Sequence, residues 1–311
     1  MPSEKISYGG WTRNLRLFNE SVEVVVTLEV GPRILSYRPV TASDDGVNVL
    51  KNYPEQLGGA AEAEWKIRGG HRLWVAPEHP VLSYTRDNVP FSYELLGDQG
   101  ICATNPGIEP WYLKKETTIQ LAPAGSGVTI EHTIINESDD TWEVAPWALT
   151  VMAPGGVSIL PQPPLGEHPR DLLPNRVIVA WPYSDLSDSR LHVGRHVLTL
   201  EQRAGCVPFK IGLAHQGGYV AYLLGNQLFV KTVPYCAGMR YADFGCNYES
   251  FTNDEMIEIE TLGPLTELPP GASVSHTEEW RLFGDVSPPL KRDTPEFVEW
   301  LASLLRQTGL A

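Results

Sequence analysis

The side chains best suited to chemistry are concentrated in the segment 67–80, which reads IRGGHRLWVAPEHP. Its Gly-Gly pair lets the backbone turn sharply and approach a ligand closely. Arginine can hold hydroxyls, a carboxylate or a phosphate through paired hydrogen bonds, and a tryptophan ring can stack under a sugar. A surface loop with mutually paired charges is the alternative, but the density of these residues favours a functional site. The candidates are Arg68, His71, Arg72, Trp74, Glu78 and His79.

A second candidate segment is 255–280, where two glutamates alternate with two isoleucines. On a strand, Ile257 and Ile259 point to one face and Glu258 and Glu260 to the other. On a solvent-facing sheet the glutamates would be ordinary surface charges. On the floor of a cleft, two neighbouring carboxylates raise one another's pKa, which produces a general base that works near neutral pH.

Other segments provide weaker candidates. His132 lies in the middle of a predicted strand, where a lone histidine is typically a satisfied structural residue. Trp142 and Trp147 either line a pocket or fill the core. Lys231 lies within an otherwise apolar strand, so it is a site candidate unless its amine reaches the strand edge. Tyr241 follows in a loop.

Metal and cofactor chemistry receives little support from the sequence. His71, Glu78 and His79 are conceivable ligands, but the chain has no HxH or HExxH pattern. It also has no serine nucleophile elbow and no glycine loop of the kind that cradles phosphates. We therefore expect no metal.

The elements that must position these residues are predicted to be strands. Apolar residues alternate over 22–30, and a Gly-Pro break then leads into a further strand, RILSY. The 28 glycines and 26 prolines favour short strands joined by turns. Because no helices alternate with the strands, we predict an all-β fold, a large antiparallel β-sandwich. The other predicted strands are 90–96, 112–121, 126–136, 141–152, 176–182, 191–200, 208–215, 218–224, 227–233, 255–262 and 272–283.

One helix is predicted, at about 294–307. Thr294 can cap it and Pro295 suits its first position. With no internal repeat and no low-complexity linker, residues 1–311 are predicted to form a single domain. The Pro- and Gly-rich stretch 154–174 is either an active-site loop or an ordered crossover. The helix would dock on the sandwich as a lid through Phe297, Val298, Leu301, Leu304 and Leu305.

Charge and composition exclude several classes of partner. The net charge is −14, with 38 acidic against 24 basic residues, which argues against nucleic acid and anionic membranes. A small anion held by a few arginines stays compatible with this charge. The four cysteines show no CxxC pattern, and the chain has no signal-peptide pattern and no membrane-length apolar run. We therefore expect a cytoplasmic protein with reduced thiols.

In this order, the segments resemble the galactose-mutarotase-like superfamily, which includes aldose 1-epimerases and hexose-6-phosphate mutarotases. IEIETLGPL followed by LPPGASVSHTEEWRLF is similar to the late signature of that group and places Glu258 on its catalytic glutamate. IRGGHRLWVAPE is similar to the RGG segment of the hexose-6-phosphate branch and places Arg68 on a substrate-binding arginine. VEVVVTLEVGPRILSY is similar to the opening hairpin. Together these motifs are also similar to a branch of the superfamily whose function is uncharacterised.

The resemblance implies a large twisted sandwich that binds a sugar on the concave face of one sheet, without a cofactor. It also implies proton-transfer chemistry. A carboxylate takes the proton of the anomeric hydroxyl while an acid protonates the ring oxygen. The ring opens, the aldehyde rotates, and the ring closes as the other anomer.

The chain departs from this pattern at the acid. The family's histidine stands in an Asn-His-Ser/Thr-aromatic motif or at an equivalent place on the middle strand. Here that region reads EVAPWALTVM, with Trp147 near the expected position. His71 or His79 is the first candidate for a replacement acid, and Lys231 or Tyr241 is the next.

Three functions are consistent with these residues. The first is an isomerase of the aldose-epimerase type that acts on a sugar or sugar acid, with Glu258 as base and His71 as acid. The second is a non-catalytic carbohydrate-binding protein on the same scaffold. The third is a structural sandwich whose glutamate-bearing face is flat and open to water. In the enzyme, the substrate-binding residues would be Arg68, Arg72, Trp74, Glu78, Trp147, Lys231 and Glu260.

Overall fold

Strands dominate the computed structural model, which describes residues 3–43, 46–58 and 62–307. The strands in chain order are β1 (Ser3–Tyr8), β2 (Trp11–Phe18), β3 (Val22–Thr27), β4 (Arg33–Pro39), β5 (His71–Ala76), β6 (Ser92–Leu95), β7 (Gly100–Asn105), β8 (Leu113–Leu121), β9 (Val128–Asn136), β10 (Trp142–Met152), β11 (Val157–Pro161), β12 (Ile178–Ala180), β13 (Leu191–Val193), β14 (Val197–Glu201), β15 (Phe209–Leu213), β16 (Tyr219–Leu224), β17 (Gln227–Thr232), β18 (Tyr248–Thr252), β19 (Ile257–Leu262), β20 (Thr266–Leu268) and β21 (Ser273–Phe283). The helical elements are a 3-10 turn at Pro54–Gln56, a turn at Ala242–Gly245 and a helix at Pro295–Arg306.

The strands form two antiparallel sheets. The first sheet has the order β1-β2-β3-β4-β5-β10-β19-β18-β15-β12, and β20 pairs with the end of β10. The second sheet has the order β13-β14-β11-β16-β17-β21-β9-β8-β7-β6. The predicted all-β sandwich is therefore confirmed. The candidate glutamates lie on β19, near the middle of the first sheet.

The main core lies between the two sheets, because every second residue of the central strands is apolar and points inward. Ile257 and Ile259 of the first sheet join this core, as do Ile130, Phe229 and Trp280 of the second. Burial of both isoleucines requires Glu258 and Glu260 to point away from the second sheet. The alternation along β19 thus decides on which side of the sandwich the site lies.

Several strands escaped the sequence prediction, and β5 is the most consequential of them. The residues 71–76 are bounded by a Gly-Gly pair and a proline, and they contain charged and aromatic residues in succession, so no clean alternation marks them. The strands β1, β2, β7, β11, β18 and β20 were also not predicted, and the predicted strand 191–200 is two strands, β13 and β14. The other predicted strands are present with ends shifted by a few residues.

The predicted C-terminal helix is confirmed as Pro295–Arg306. It packs on the outer face of the second sheet, where Phe297, Leu301 and Leu305 are buried against apolar residues of β11, β14, β16 and β17. Thr294 caps it, since its hydroxyl accepts a hydrogen bond from the Phe297 amide at 3.2 Å. The helix therefore covers the side of the sandwich opposite Glu258 and Glu260.

Loss of this cap should lower the stability of the protein. Thr294→Ala leaves the Phe297 amide without its side-chain acceptor, so we expect the free energy of unfolding to fall by about 1 kcal/mol. Urea unfolding followed by tryptophan fluorescence measures the change. Thr294→Ser is the matched control, because it keeps the hydroxyl and should retain most of the stability. Equal losses in both variants would show that the methyl group, rather than the cap, matters.

No helix among the described residues is long and apolar enough to cross a membrane. The predicted domain span of 1–311 includes residues 1–2, 44–45, 59–61 and 308–311, which lie outside the described residues.

Candidate functional site

Three adjacent strands position the candidate site on the outer face of the first sheet. The strand β10 lies between β5 and β19, so that Leu149 is opposite both Arg72 and Glu260. Trp147 is opposite Trp74 in the same way. These side chains share one face because each is an even number of residues from the next along its strand.

The Gly-Gly pair at 69–70 sets the entry into β5. Both glycines have positive φ, +78° and +68°. A Cβ at Gly69 would collide with the carbonyl of Lys51, and one at Gly70 with the carbonyl of Ile34. The close approach predicted for this pair is therefore made to neighbouring backbone, and it fixes the register that turns Arg72 outward.

These strands form the floor of a cleft of about 290 Å³. The cleft contradicts the alternative of a flat, open face. Six of the predicted site residues line it, namely Arg72, Trp74, Glu78, Trp147, Glu258 and Glu260. The other lining residues are Trp65, Ile67, Tyr84, Leu149, Tyr183, Lys210, Phe251, Asn253 and Met256.

Glu258 and Arg72 face each other across the cleft floor. Nη1 of Arg72 lies 3.2 Å from Oε1 of Glu258, but the two groups are not aligned for a hydrogen bond. The guanidinium also stacks on Trp74, with 4.6 Å between its carbon and the ring centroid. Among the described residues, Nε and Nη1 of Arg72 and Oε1 of Glu258 are buried without a hydrogen-bond partner. These buried polar atoms are therefore left unsatisfied at the cleft floor.

Glu260 is held by a more complete network. Its Oε2 accepts hydrogen bonds from the Trp147 indole at 2.9 Å and from the Lys210 amine at 3.1 Å. Lys210 also forms an ion pair with Glu249 at 2.7 Å and lies 4.6 Å from the ring centroids of both Trp147 and Trp181. Oε1 of Glu260 has no hydrogen-bond partner among the described residues.

Burial in this network moves the pKa of Glu260 into the physiological range. Burial and the nearby charge of Glu258 raise its pKa to about 7, although Lys210 acts in the opposite direction. Burial likewise raises the pKa of Glu249. Burial alone would lower the pKa of Lys210, but the carboxylates of Glu260 and Glu249 raise it. One lysine thus shares its charge between two carboxyl groups, and Glu260 can both give and take a proton near neutral pH.

The raised pKa of Glu260 should be visible in the pH dependence of stability. Between its ordinary pKa of 4.5 and about 7, the native carboxyl keeps a proton that the unfolded one loses. The contribution of Glu260 to stability therefore falls as pH rises through this window. We expect the free energy of unfolding of Glu260→Gln, minus that of the native protein, to increase with pH by up to about 1.4 kcal/mol per unit.

Urea unfolding in steps between about pH 5 and 7 measures this difference. The buried histidines titrate in both proteins, so their contribution cancels in the subtraction. A difference that stays constant over this range would contradict the assignment of a raised pKa to Glu260.

Aromatic rings form one wall of the cleft. Trp74 contacts Trp65 and Trp147 edge to face, with ring centroids 5.1 and 5.4 Å apart. Tyr84 packs against Trp74 at 5.2 Å, and its hydroxyl donates to Glu78 at 2.6 Å. Flat apolar rings can contact the C–H face of a sugar, and the neighbouring carboxylates and guanidinium can bind its hydroxyls.

The structure places His71 away from this cleft, which corrects its predicted position beside Glu258. His71 precedes Arg72 on β5 and therefore points to the opposite face, between the sheets. It is 1% exposed, its Nδ1 is 2.9 Å from the Thr150 hydroxyl, and its Nε2 is 2.9 Å from Nε2 of His132. The acid of any reaction in the cleft must come from another side chain.

His71 belongs to a buried polar cluster between the sheets, which we call the inter-sheet cluster: His71, His132, Lys231, His276 and Glu278. Glu278 is its centre, with the Lys231 amine at 2.7 Å and His71 Nε2 at 3.5 Å. Burial would raise the pKa of Glu278, but Lys231 and the histidines lower it. Burial lowers the pKa of His132 to about 3 and that of His276 to about 4, so these rings are neutral at physiological pH.

Ligand atoms of His71, His132 and Glu278 lie within 4.8 Å of one another, a spacing that suits a shared cation. The carboxylate of Glu278 is nevertheless already bonded by Lys231, Thr261 and the Trp280 indole. An added divalent cation beside Lys231 would leave excess positive charge in the core. Hydrogen bonding therefore accounts for the cluster.

The other predicted residues outside the cleft have structural partners. Arg68 is 1% exposed and forms an ion pair with Glu62, which corrects its predicted position in the site. Lys231 belongs to the inter-sheet cluster. Of the remaining candidate acids, His79 packs on Trp111, and the hydroxyl of Tyr241 accepts a hydrogen bond from the Cys236 amide.

Sequence reasoning missed Lys210, although a signal for it exists. Lys210 stands in the strand sequence FKIGL, where a lysine among apolar residues has the same appearance as Lys231 in FVKT. Only the sheet order distinguishes them, since β15 lies two strands from β19 whereas β17 belongs to the second sheet. Trp65 and Tyr183 come from loops whose path no local pattern predicts.

Solved structures of galactose mutarotase-like proteins have the same fold as this two-sheet sandwich and match this chain over most of its length. No family model and no curated protein matches the sequence. A galactose mutarotase-like protein from Lactobacillus casei has a TM-score of 0.57 and 12% identity, and the match covers 87% of this chain and all of that one. A putative aldose 1-epimerase from Escherichia coli has a TM-score of 0.54 and 10% identity over 86% of this chain and 98% of that one.

A third solved structure is a TPR-domain containing protein from Parabacteroides distasonis. Its TM-score is 0.60 at 13% identity, and the match covers 91% of this chain. This chain spans half the length of that protein. At these identities the comparisons show the fold alone.

Proposed function

We propose that this protein is a carbohydrate isomerase of the aldose-epimerase type, which acts on a sugar or sugar acid by acid–base proton transfer. The observation that carries the proposal is the pair Glu258 and Glu260, which line one cleft and each have a carboxylate oxygen with no hydrogen-bond partner among the described residues. Arg72 stands opposite the first, and the second has a pKa of about 7. The aromatic wall supplies a stacking surface for the sugar ring.

Glu258 acts as the base and Glu260, in its protonated form, replaces His71 as the acid. Glu258 takes the proton of the anomeric hydroxyl while Glu260 gives its proton to the ring oxygen, and the ring opens to the aldehyde. The aldehyde then rotates and the ring closes. On closure, Glu258 returns its proton to the new anomeric hydroxyl and Glu260 takes back the proton of the ring oxygen, so each carboxyl group regains its starting state. Alternate residues on a strand lie about 7 Å apart, which lets two carboxyl groups reach neighbouring oxygens of one sugar.

A non-catalytic carbohydrate-binding protein is the second candidate. It is favoured by one observation, that no histidine is found among the described residues that line the cleft. Such a protein would use the same aromatic wall and the same polar atoms to hold a ligand without moving protons.

Anomer exchange distinguishes the two candidates. Aldoses, uronic acids and sugar phosphates are presented to the protein, and interconversion of their anomers is followed by NMR exchange spectroscopy or polarimetry. Binding is measured in parallel by thermal shift, because a ligand raises the melting temperature in proportion to its occupancy. Accelerated interconversion supports the isomerase, stabilisation without acceleration supports the binding protein, and the absence of both for every sugar class contradicts the proposal.

A further inference from the structure

A second, smaller cavity of about 50 Å³ lies beside the cleft. Arg72, Trp65 and Trp74 line both, so the two spaces adjoin at the stacked guanidinium. Their charges differ. The cleft has four acidic side chains nearby, Glu78, Glu249, Glu258 and Glu260, and two basic ones. The charged residues that line the smaller cavity are Arg72, Arg86 and Lys115, which are basic, and Asp87, which is acidic.

Lys115 is the least expected of these residues. It lies on β8, where successive side chains alternate between the outer face of the second sheet and the interior. Its neighbour Lys114 points outward, with Glu116 and Glu137 at 3.5 and 3.4 Å. Lys115 lines the cavity, and its side-chain amine makes no hydrogen bond or ion pair with any described residue.

The single acidic group of the cavity does not balance this charge. Asp87 already receives a hydrogen bond from Arg33 Nη2 at 2.5 Å, and Nε of Arg68 lies 4.0 Å from its other oxygen. Arg86 is exposed, and among the described residues its guanidinium donates only to the backbone carbonyl of Glu62, at 3.4 Å. The smaller cavity therefore has uncompensated positive charge on the Lys115 side.

Arg72 gives a second, independent observation at the junction. It is 4% exposed, and its Nε is buried without a hydrogen-bond partner among the described residues, while its Nη1 faces Oε1 of Glu258 at 3.2 Å. A guanidinium whose Nε has no hydrogen bond, beside a lysine amine that forms no ion pair, is an arrangement that can recognise an oxyanion such as carboxylate or phosphate.

We propose that Lys115, with Arg86 and Arg72, forms an oxyanion subsite that binds the carboxylate or phosphate of an acidic sugar whose ring occupies the cleft. This inference rests on the proposed function for the position of the ring and extends it to the substrate class. The acidic cleft repels a bare anion at the carboxylates, whereas a ligand with a hydroxyl-rich ring and a charged end matches both regions. Burial lowers the pKa of Lys115 to about 8, which leaves the amine largely protonated at neutral pH.

The test compares acidic and neutral forms of one sugar. Calorimetric titration measures the affinity of a hexuronate, a hexose 6-phosphate and the parent hexose for the native protein, Lys115→Met and the control Lys114→Met. The ratio of acidic to neutral affinity should fall about 10- to 100-fold in Lys115→Met and stay unchanged in Lys114→Met. Lys115→Arg should retain most of the ratio, and this excludes misfolding as the cause of a loss.

Competition experiments with inorganic phosphate and acetate test whether a free anion binds where the charged substituent of the sugar would bind. Competition between phosphate and the acidic sugar in the native protein, and its loss in Lys115→Met, supports the subsite. An acidic-to-neutral ratio that is the same for Lys115→Met and Lys114→Met overturns it. That result leaves the proposed isomerase intact if the hexose is still interconverted, so the two failures are distinguishable.

Discussion

Replacement of Glu258 by glutamine should slow anomer interconversion about 10²- to 10⁴-fold at saturating substrate, the range expected when a general base is removed. Glutamine keeps the shape of the side chain but cannot accept the proton of the anomeric hydroxyl. Glu258 lines the cleft, and its Oε1 has no hydrogen-bond partner among the described residues, which leaves this carboxylate able to act as a proton acceptor. The change is measured as the exchange rate between anomer signals in NMR.

The matched control is Glu131→Gln, an exposed glutamate on β9 of the second sheet. It removes the same charge away from the cleft and should leave the rate unchanged. Thermal unfolding of both variants checks that Glu258→Gln still folds. A rate for Glu258→Gln equal to that of the control would show that another group removes the proton, and the base would have to be assigned anew.

The two glutamates of β19 show what a sequence pattern can establish. Ile257 and Ile259 are apolar and are buried in the core. Because successive side chains of a strand alternate between its faces, Glu258 and Glu260 must then point to the opposite face. The same rule separates His71 from Arg72, but it applies only once 71–76 is known to be a strand. The Gly-Gly pair and the mixed polarity of HRLWVA hid this strand, and the predicted acid was placed on the wrong side of it.

The contributions of distant segments were not predictable from local patterns. Lys210 and Lys231 are both lysines in apolar strands, and only the order of strands in the two sheets sends one to the cleft and the other between the sheets. The cleft wall also needs Trp65, which comes from a loop, and Lys115 lines its cavity from the other sheet. Contacts between such distant segments depend on tertiary packing, and the spacing of residues along one strand carries no information about it.

The three strands beneath the cleft have polar groups on both faces. On β5, β10 and β19, the side chains of Arg72, Trp147 and Glu258 face the cleft, while inward-pointing His71 and Thr150 contact each other and Thr261 bonds to Glu278. The inter-sheet cluster therefore joins the cleft strands to β9, β17 and β21. A buried network of this kind holds its strands in one register only if all its members are satisfied.

Removal of Lys231 should be strongly destabilising for this reason. Lys231→Met leaves the buried Glu278 carboxylate without its counter-charge at 2.7 Å, so we expect the free energy of unfolding to fall by about 3–5 kcal/mol at neutral pH. The unpaired carboxylate should then have a raised pKa. The loss should therefore shrink as pH falls and Glu278 takes up a proton, and grow as pH rises.

The double variant Lys231→Met, Glu278→Gln is the decisive comparison. It removes both charges, and because no unpaired ion is left in the core, it should be more stable than Lys231→Met alone. Urea unfolding of the native protein and the three variants, the single Glu278→Gln included, completes the cycle. If the loss in free energy of unfolding of the double variant equals the sum of the losses of the two single variants, the ion pair contributes no coupling energy. The cost of Lys231→Met would then come from lost packing around the aliphatic part of the lysine side chain.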